Sequence, residues 1–176
     1  MRTLEARGKI KDVDNAMDTA KQIGGVFKGS YRATDIIFKS NKEDVKGVID
    51  LRIFELNNRQ TKNYKFIHKI AEWSDKTKKD KVVLKGEFDT MGEALNFIAD
   101  NYGDSIKEHY EYSREGWEYN VGKNDIFIEC IETLGPTIEI ESESKNDLEN
   151  LFKLFEVEER FSEPTAEIMR KLLGKE

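Results

Sequence analysis

The residues from Leu134 to Glu143, Leu-Gly-Pro-Thr-Ile-Glu-Ile-Glu-Ser-Glu, constrain the fold more than any other stretch of the chain. From Thr137 onward they alternate strictly, with Ile138 and Ile140 on one face of a strand and Glu139, Glu141 and Glu143 on the other. Residues two apart on one strand face lie roughly 6.5–7 Å apart, so such carboxylates repel unless they are solvated, paired with bases or bridged by a metal. Taken alone, a face of this kind is ordinarily the wet side of an antiparallel sheet. Far away in sequence, Glu5-Ala6-Arg7-Gly8-Lys9 has the same period and puts Glu5, Arg7 and Lys9 on one strand face.

The pattern recurs along the chain. Strands are predicted over 3–11, 26–40, 48–56, 63–73, 81–88, 105–113 and 125–133, with 117–121 as the return of a hairpin. The charged run 74–80 reads as a solvated hairpin tip. Helices are predicted after an Asp12 or Asp14 cap, after the capping box Thr90-Met91-Gly92-Glu93, from Ser144 through about Arg160, and from Ser162 or Thr165 to Gly174. About eight strands in meander and four helices make an α+β chain, and an antiparallel barrel is its natural closure because closing removes edge strands. Most of these strands carry a charge in mid-strand, among them Asp35, Lys39, Arg52, Lys65, Lys85, Lys107 and Glu129. Either the charges coat the outside, or they line a water-filled tunnel whose apolar faces lie under helices; alternation alone is compatible with both.

Composition narrows the alternatives. With 176 residues, two prolines and no linker-like segment, a single domain spanning 1–176 is the economical reading. The charged fraction of 36% is high and the hydrophobic fraction of 38% suffices because it is patterned. A net charge of −6 argues against a general nucleic-acid binder. The lone Cys130 sits in an apolar run as a small core residue, and no apolar stretch has the length of a membrane span, so a cytoplasmic protein is expected. His68 and His109 lack metal-ligand spacing and read as surface or packed imidazoles, with His109 alone a candidate for a basic lining. Trp73 and Trp117 read as core or hairpin anchors.

Glu-x-Arg-x-Lys at 5–9, Leu51-Arg52, Tyr64-Lys65 and Leu134-Gly135-x-x-Ile138-Glu139-Ile140-Glu141, taken in this order, resemble the CYTH family, the triphosphate tunnel metalloenzymes. That family includes class IV adenylate cyclases, thiamine triphosphatases and inorganic tripolyphosphatases. The resemblance covers roughly residues 3–142, followed by C-terminal helices over 145–174. It implies an eight-stranded tunnel in which Glu5, Glu139 and Glu141 hold Mg2+ or Mn2+ and Lys9, Arg52, Lys65, Lys85 and Lys107 contact a triphosphate. Glu129, in Ile128-Glu129, is a further acidic candidate. These are the residue types that hard cations and polyphosphates require.

Two positions depart from the family pattern. Arg7 stands where the family has a second glutamate, and Phe54 where it has a second arginine. A unit charge about 5 Å from its partner at an effective dielectric of 20 interacts by about 3 kcal/mol, so Arg7 weakens a neighbouring cation site unless it pairs with Glu139 or Glu141 or contacts phosphate itself. The C-terminal helix also lacks the Ser-Tyr pair common in the family. The expected function is metal-dependent hydrolysis of a triphosphate-containing small molecule. The alternatives are a degenerate domain that binds an anion or nucleotide without turnover, and an adenylate cyclase, although nothing in the chain reads as an adenine site. The oligomeric state is open, a homodimer included.

Overall fold

The computed structural model describes residues 4–56, 62–74 and 76–175, so Thr3 and Asp75, which the predicted strand and hairpin tip include, lie outside the described residues. The elements follow in the order β1 (Leu4–Lys9), α1 (Val13–Gln22), β2 (Val26–Ser40), β3 (Val48–Leu56), β4 (Lys62–Ser74), β5 (Thr77–Phe88), α2 (Met91–Tyr102), β6 (Ile106–Val121), β7 (Asn124–Ile131), β8 (Gly135–Ser142), α3 (Lys145–Leu154), β9 (Glu159–Arg160) and α4 (Thr165–Leu172). Three helices start where side-chain caps dictate. Asp12 accepts from Asn15 N, Thr90 and Glu93 form a reciprocal capping box, and Ser144 accepts from Asp147 N.

All strand pairings are antiparallel, and the order β5-β4-β3-β2-β6-β7-β8-β1 returns on itself as a ring through one further pairing of β5 with β1. Among the described residues the register of that closing pairing is Glu5 opposite Lys78. The two-residue β9 pairs with the other half of β1, at Gly8 and Lys9.

The ring is polar inside and apolar outside. Ala6, Ile126, Ile128, Ile138 and Ile140 point outward into a core built with Ala16 and Ala20 of α1 and Leu148, Leu151 and Phe152 of α3. On the far side Ile36, Ile49, Leu51 and Phe66 pack with Ala94 and Ile98 of α2. Helices therefore cover the aliphatic faces that would otherwise be wet, and the charged faces turn inward. Of the two readings that alternation permits, the tunnel is the one the chain adopts. α4 closes one end: Ala166 and Met169 pack with Ile37, Tyr110 and Tyr112, and the Tyr110 hydroxyl donates to the Ala166 carbonyl.

Several sequence expectations are corrected. The hairpin at 113–117 does not exist, because β6 runs unbroken through Gly116. Glycine is used there for space: a Cβ would meet the Tyr31 ring, which lies across it. The helix expected through Arg160 stops at Leu154, after which Glu156 takes a positive φ of 51° and the chain turns into β9. The run read as a solvated tip is strand from Thr77 on, and Lys78 is buried. Cys130 is exposed, since it lies beyond the part of β7 that helices cover. His68 is a packed imidazole, bonded to the Tyr102 hydroxyl and the Lys46 carbonyl, both at 2.7 Å. His109 faces an outer cleft and not the tunnel.

Gly8 supplies a test of the β1–β9 contact. A Cβ there would lie 2.6 Å from the Glu159 carbonyl oxygen and 2.3 Å from a Val157 methyl. Gly8→Ala should destabilise the chain by about 1–3 kcal/mol in urea unfolding; an unchanged midpoint would show that β9 is not held against β1.

Candidate active site

The ring encloses a cavity of about 530 Å³ lined by side chains of β1 to β8 and, at one end, by Pro164, Thr165 and Ala166. Register brings the charges into rows. Arg7 lies directly opposite Glu139, Glu5 opposite Glu141, and Asp35, Arg52 and Lys65 form one line across β2, β3 and β4. Paired residues on neighbouring strands share a face, so each row projects into the tunnel.

The rows connect into a chain of alternating charge. Lys69 contacts Asp80 at 2.5 Å, Asp80 contacts Lys78 at 3.3 Å, and Lys78 pairs with Glu5. Arg7 donates from Nε at 2.9 Å and from Nη2 at 2.5 Å to Glu139, and from Nη1 to Glu129. The other Glu129 oxygen accepts from Arg114 at 3.0 Å and from the Tyr31 hydroxyl. Arg114 reaches Asp35 at 2.9 Å, and Arg52 joins Asp35 to Asp50, the latter at 3.2 Å. Buried charges demand such pairing, because an uncompensated one costs several kcal/mol.

One position in the chain holds acids against acids. Glu5, Glu139 and Glu141 present oxygens that lie within 4.8 Å of one another. Burial and the neighbouring Glu139 carboxylate push the Glu5 carboxyl up to about 8, against the pull of Lys78 and Lys69. Burial would raise Glu139 as well, but Arg7 and Lys78 outweigh it and hold that group well below the usual carboxylate range. Across the tunnel, burial works against Asp35, yet Arg114 and Arg52 keep it down at about 2, while burial and the Asp35 charge push Asp50 well above its ordinary value. In the first cluster Glu139 is thus pulled down while Glu5 and, through burial and the Glu139 charge, Glu141 are pushed up; in the second Asp35 is pulled down and Asp50 pushed up.

No family model matches the sequence, and no curated protein matches it. Solved structures do. The PH1819 protein of Pyrococcus horikoshii superposes with a TM-score of 0.73 at 20% identity, covering 96% of this chain and 98% of that one. A candidate adenylate cyclase from Vibrio parahaemolyticus gives 0.67 at 13% identity over 96% and 98%. HpAC1 from Hippeastrum, a candidate adenylyl cyclase with a dominant triphosphatase activity, gives 0.64 at 13% identity over 99% and 97%. The fold is CYTH-like. At these identities the likeness is one of fold.

Within this CYTH-like tunnel the expected residues divide. Glu5, Glu139, Glu141, Arg7, Arg52, Lys65 and Glu129 line the cavity together. Lys9, Lys85 and Lys107 do not. Lys107 is exposed and pairs with Lys39 near the start of β6. Lys85 lies opposite Ile67, a wall residue, but β5 has by then left β1 and the lysine stands in solvent. In their place the CYTH-like tunnel uses Lys69, Lys78 and Arg114, which the motifs did not single out. For Lys69 and Arg114 the available signal was a cation two residues from another inward position, Ile67 and Tyr112 respectively. Phe54 keeps an inward position beside the Arg52 guanidinium, 5.8 Å from its ring centre.

Two measurements follow. The folded chain holds the Glu5 proton up to about pH 8 and the unfolded chain only to 4.5, so the folded state binds more protons in that window and stability falls as pH rises through it. The melting temperature should drop as pH rises from about 5 to about 8, with a shallower drop for Glu5→Gln; parallel curves would mean that Glu5 ionises normally. Arg114→Met leaves Asp35 and Glu129 short of a cation and should cost about 3–5 kcal/mol in urea unfolding; a loss under about 1 kcal/mol would show that the charge chain does not support the fold.

Proposed function

We propose that the tunnel binds a triphosphate-containing small molecule together with a divalent cation, Mg2+ or Mn2+, and hydrolyses it. The observation that carries this reading is the placing of three convergent carboxylates, Glu5, Glu139 and Glu141, on β1 and β8, three and four places around the ring from β3, where Arg52 projects inward. Oxygen donors at this spacing suit a hard dication, and Glu5 opposite Glu141 are two crowded acids that such an ion would hold in their ionised form. A cation there would offset charge on the phosphoryl oxygens and bring a water into reach.

The side chains supply the rest. Among the cations that line the cavity, Arg52, Lys65 and Lys69 have the most solvent-exposed side chains, at 29%, 40% and 25%. They donate to phosphate oxygens along the β3–β4 wall, and Arg52 does so bidentately once it turns from Asp50. Phe54, Ile67 and Phe127 narrow the channel and limit water around the reacting group. Seven carboxyl groups and six cations line the cavity, so it offers no positive surplus to a bare polyanion. Binding of the triphosphate therefore requires the dication, whose charge among Glu5, Glu139 and Glu141 supplies the missing positive surplus.

A second reading is favoured by one observation. Arg7 and Arg114 are each engaged by two carboxylates, an arrangement that serves binding without turnover as well. Phosphate release from inorganic tripolyphosphate, thiamine triphosphate and ATP, with Mg2+ or Mn2+, separates the readings, and cyclic-nucleotide formation from ATP reports the cyclase alternative. At least one compound should release phosphate in a chelator-sensitive manner, with a loss of about 100-fold or more in Arg52→Ala. Binding by calorimetry without release would assign the tunnel to ligand capture, and the lack of both would remove the triphosphate reading altogether.

A further inference from the structure

The guanidinium of Arg7 occupies an unusual place. It is buried, at 8% exposure, in the middle of the acidic wall, and it joins carboxylates from two strands, Glu139 of β8 and Glu129 of β7. Glu129 is itself 1% exposed and Glu139 is also enclosed, with side-chain exposure of 15%. Their bonded oxygens are separated only by the breadth of one guanidinium. Both of its bonds to Glu139 fall on Oε2, so Oε1 carries no bond to Arg7, and Glu139 also belongs to the Glu5–Glu141 group. The acidic wall is thus two adjoining carboxylate sites that share Glu139. One contains a covalently tethered cation, and the other consists of acids that crowd one another.

We propose that Arg7 is a built-in counter-cation: it fills, between Glu129 and Glu139, a site that a divalent ion would otherwise take, and so restricts the tunnel to one exchangeable metal. The charges make the substitution natural. Without Arg7, Glu129 would keep Arg114, which Asp35 also holds from the other side, and Glu139 would be left with the charges of Lys78 and Lys69, which Glu5 and Asp80 already engage. That leaves a buried negative excess, which a hard cation with oxygen ligands relieves. Arginine does this permanently because its guanidinium stays charged at any working pH and its planar fork matches two acceptors at once. It cannot, however, polarise a water or dissociate with a product. Arg7 is in this sense a positioning residue, which fixes Glu139 for the remaining site and lowers the number of metals the tunnel can recruit.

The inference rests on the proposed metal site only for the wild-type count, and the experiment is chosen to keep the two apart. Manganese is titrated into the intact protein by calorimetry, without any triphosphate, for wild type, Arg7→Gln and the double variant Arg7→Gln/Glu129→Gln, with melting temperatures followed at the same manganese concentrations. The expected result is one Mn2+ for wild type, two for Arg7→Gln and one again for the double variant. In the absence of manganese Arg7→Gln should melt below wild type, and manganese should raise its melting temperature by a larger interval than it raises that of wild type. An Arg7→Gln protein with the wild-type stoichiometry and the wild-type manganese shift overturns the inference, as does a wild type that already binds two. A wild type that binds none, beside an Arg7→Gln that gains one, refutes the metal-dependent function and leaves the role of Arg7 standing. Should Arg7→Gln alone fail to fold without metal, recovery of its cooperative melt on adding manganese supports the inference, and failure to recover where the double variant folds counts against it.

Discussion

Everything in this fold depends on the need of buried charge for a partner. A strand that carries ionic groups on one face and aliphatic groups on the other has two ways to fold, and helices decide between them. Once α1, α2 and α3 cover the outward isoleucines, the ionic faces must meet inside, where each carboxylate needs a cation within a few ångströms or must keep its proton. Both solutions are used. Arg114 and Arg7 hold Asp35, Glu129 and Glu139 ionised, whereas Glu5 and Asp50 are pushed toward the neutral form where acids outnumber bases locally. The ring shape is thereby tied to electrostatics, because the ion pairs bridge strands that are not all hydrogen-bonded to each other.

This internal balance shapes how any anion can be bound. A strongly basic tunnel would attract a polyphosphate directly; this one is closer to neutral and already has its cations engaged. Under the proposed function ligand binding would be an exchange, in which phosphate oxygens replace carboxylate oxygens around Arg52, Lys65 and Lys69. The enthalpy of such an exchange is modest and its net value depends on how well the displaced acids are re-partnered. A dication among Glu5, Glu139 and Glu141 would supply that partner.

How much of this was legible in the sequence follows from the range over which each interaction acts. Alternation at 137–142 and at 5–9, the caps at Thr90 and Ser144, the first helix's cap at Asp12 of the two candidates, and the inward Arg52 and Lys65 are local patterns that the structure reproduces, while Glu143 falls past the end of β8. Which face turned inward required the family resemblance, because alternation is symmetric. Lys78 was unreadable for a different reason: amid Lys76, Lys79 and Asp80 it has the composition of a wet turn, and only the closing contact with Glu5, over seventy positions away, buries it. Gly116 misled in the opposite sense, since a glycine after Arg-Glu signals a turn locally but here makes room for a ring from β2. Lys85 and Lys107 have the right residue type and strand context and fail by position alone.

The closing contact between β1 and β5 has a consequence of its own. Among the described residues the ring closes through a single register pair, which leaves most of β5 with no strand paired along that edge, and Val82 and Val83 on it are about half exposed. Open edges of this sort recruit strands from other chains and seed aggregation. The exposed Lys79, Lys81 and Lys85 lie along that same strand and would confront their own copies in any edge-to-edge stack, so like-charge repulsion guards the opening. The lysines that sequence placed in the tunnel wall thus include one, Lys85, whose position suits it to keeping the molecule apart from its neighbours.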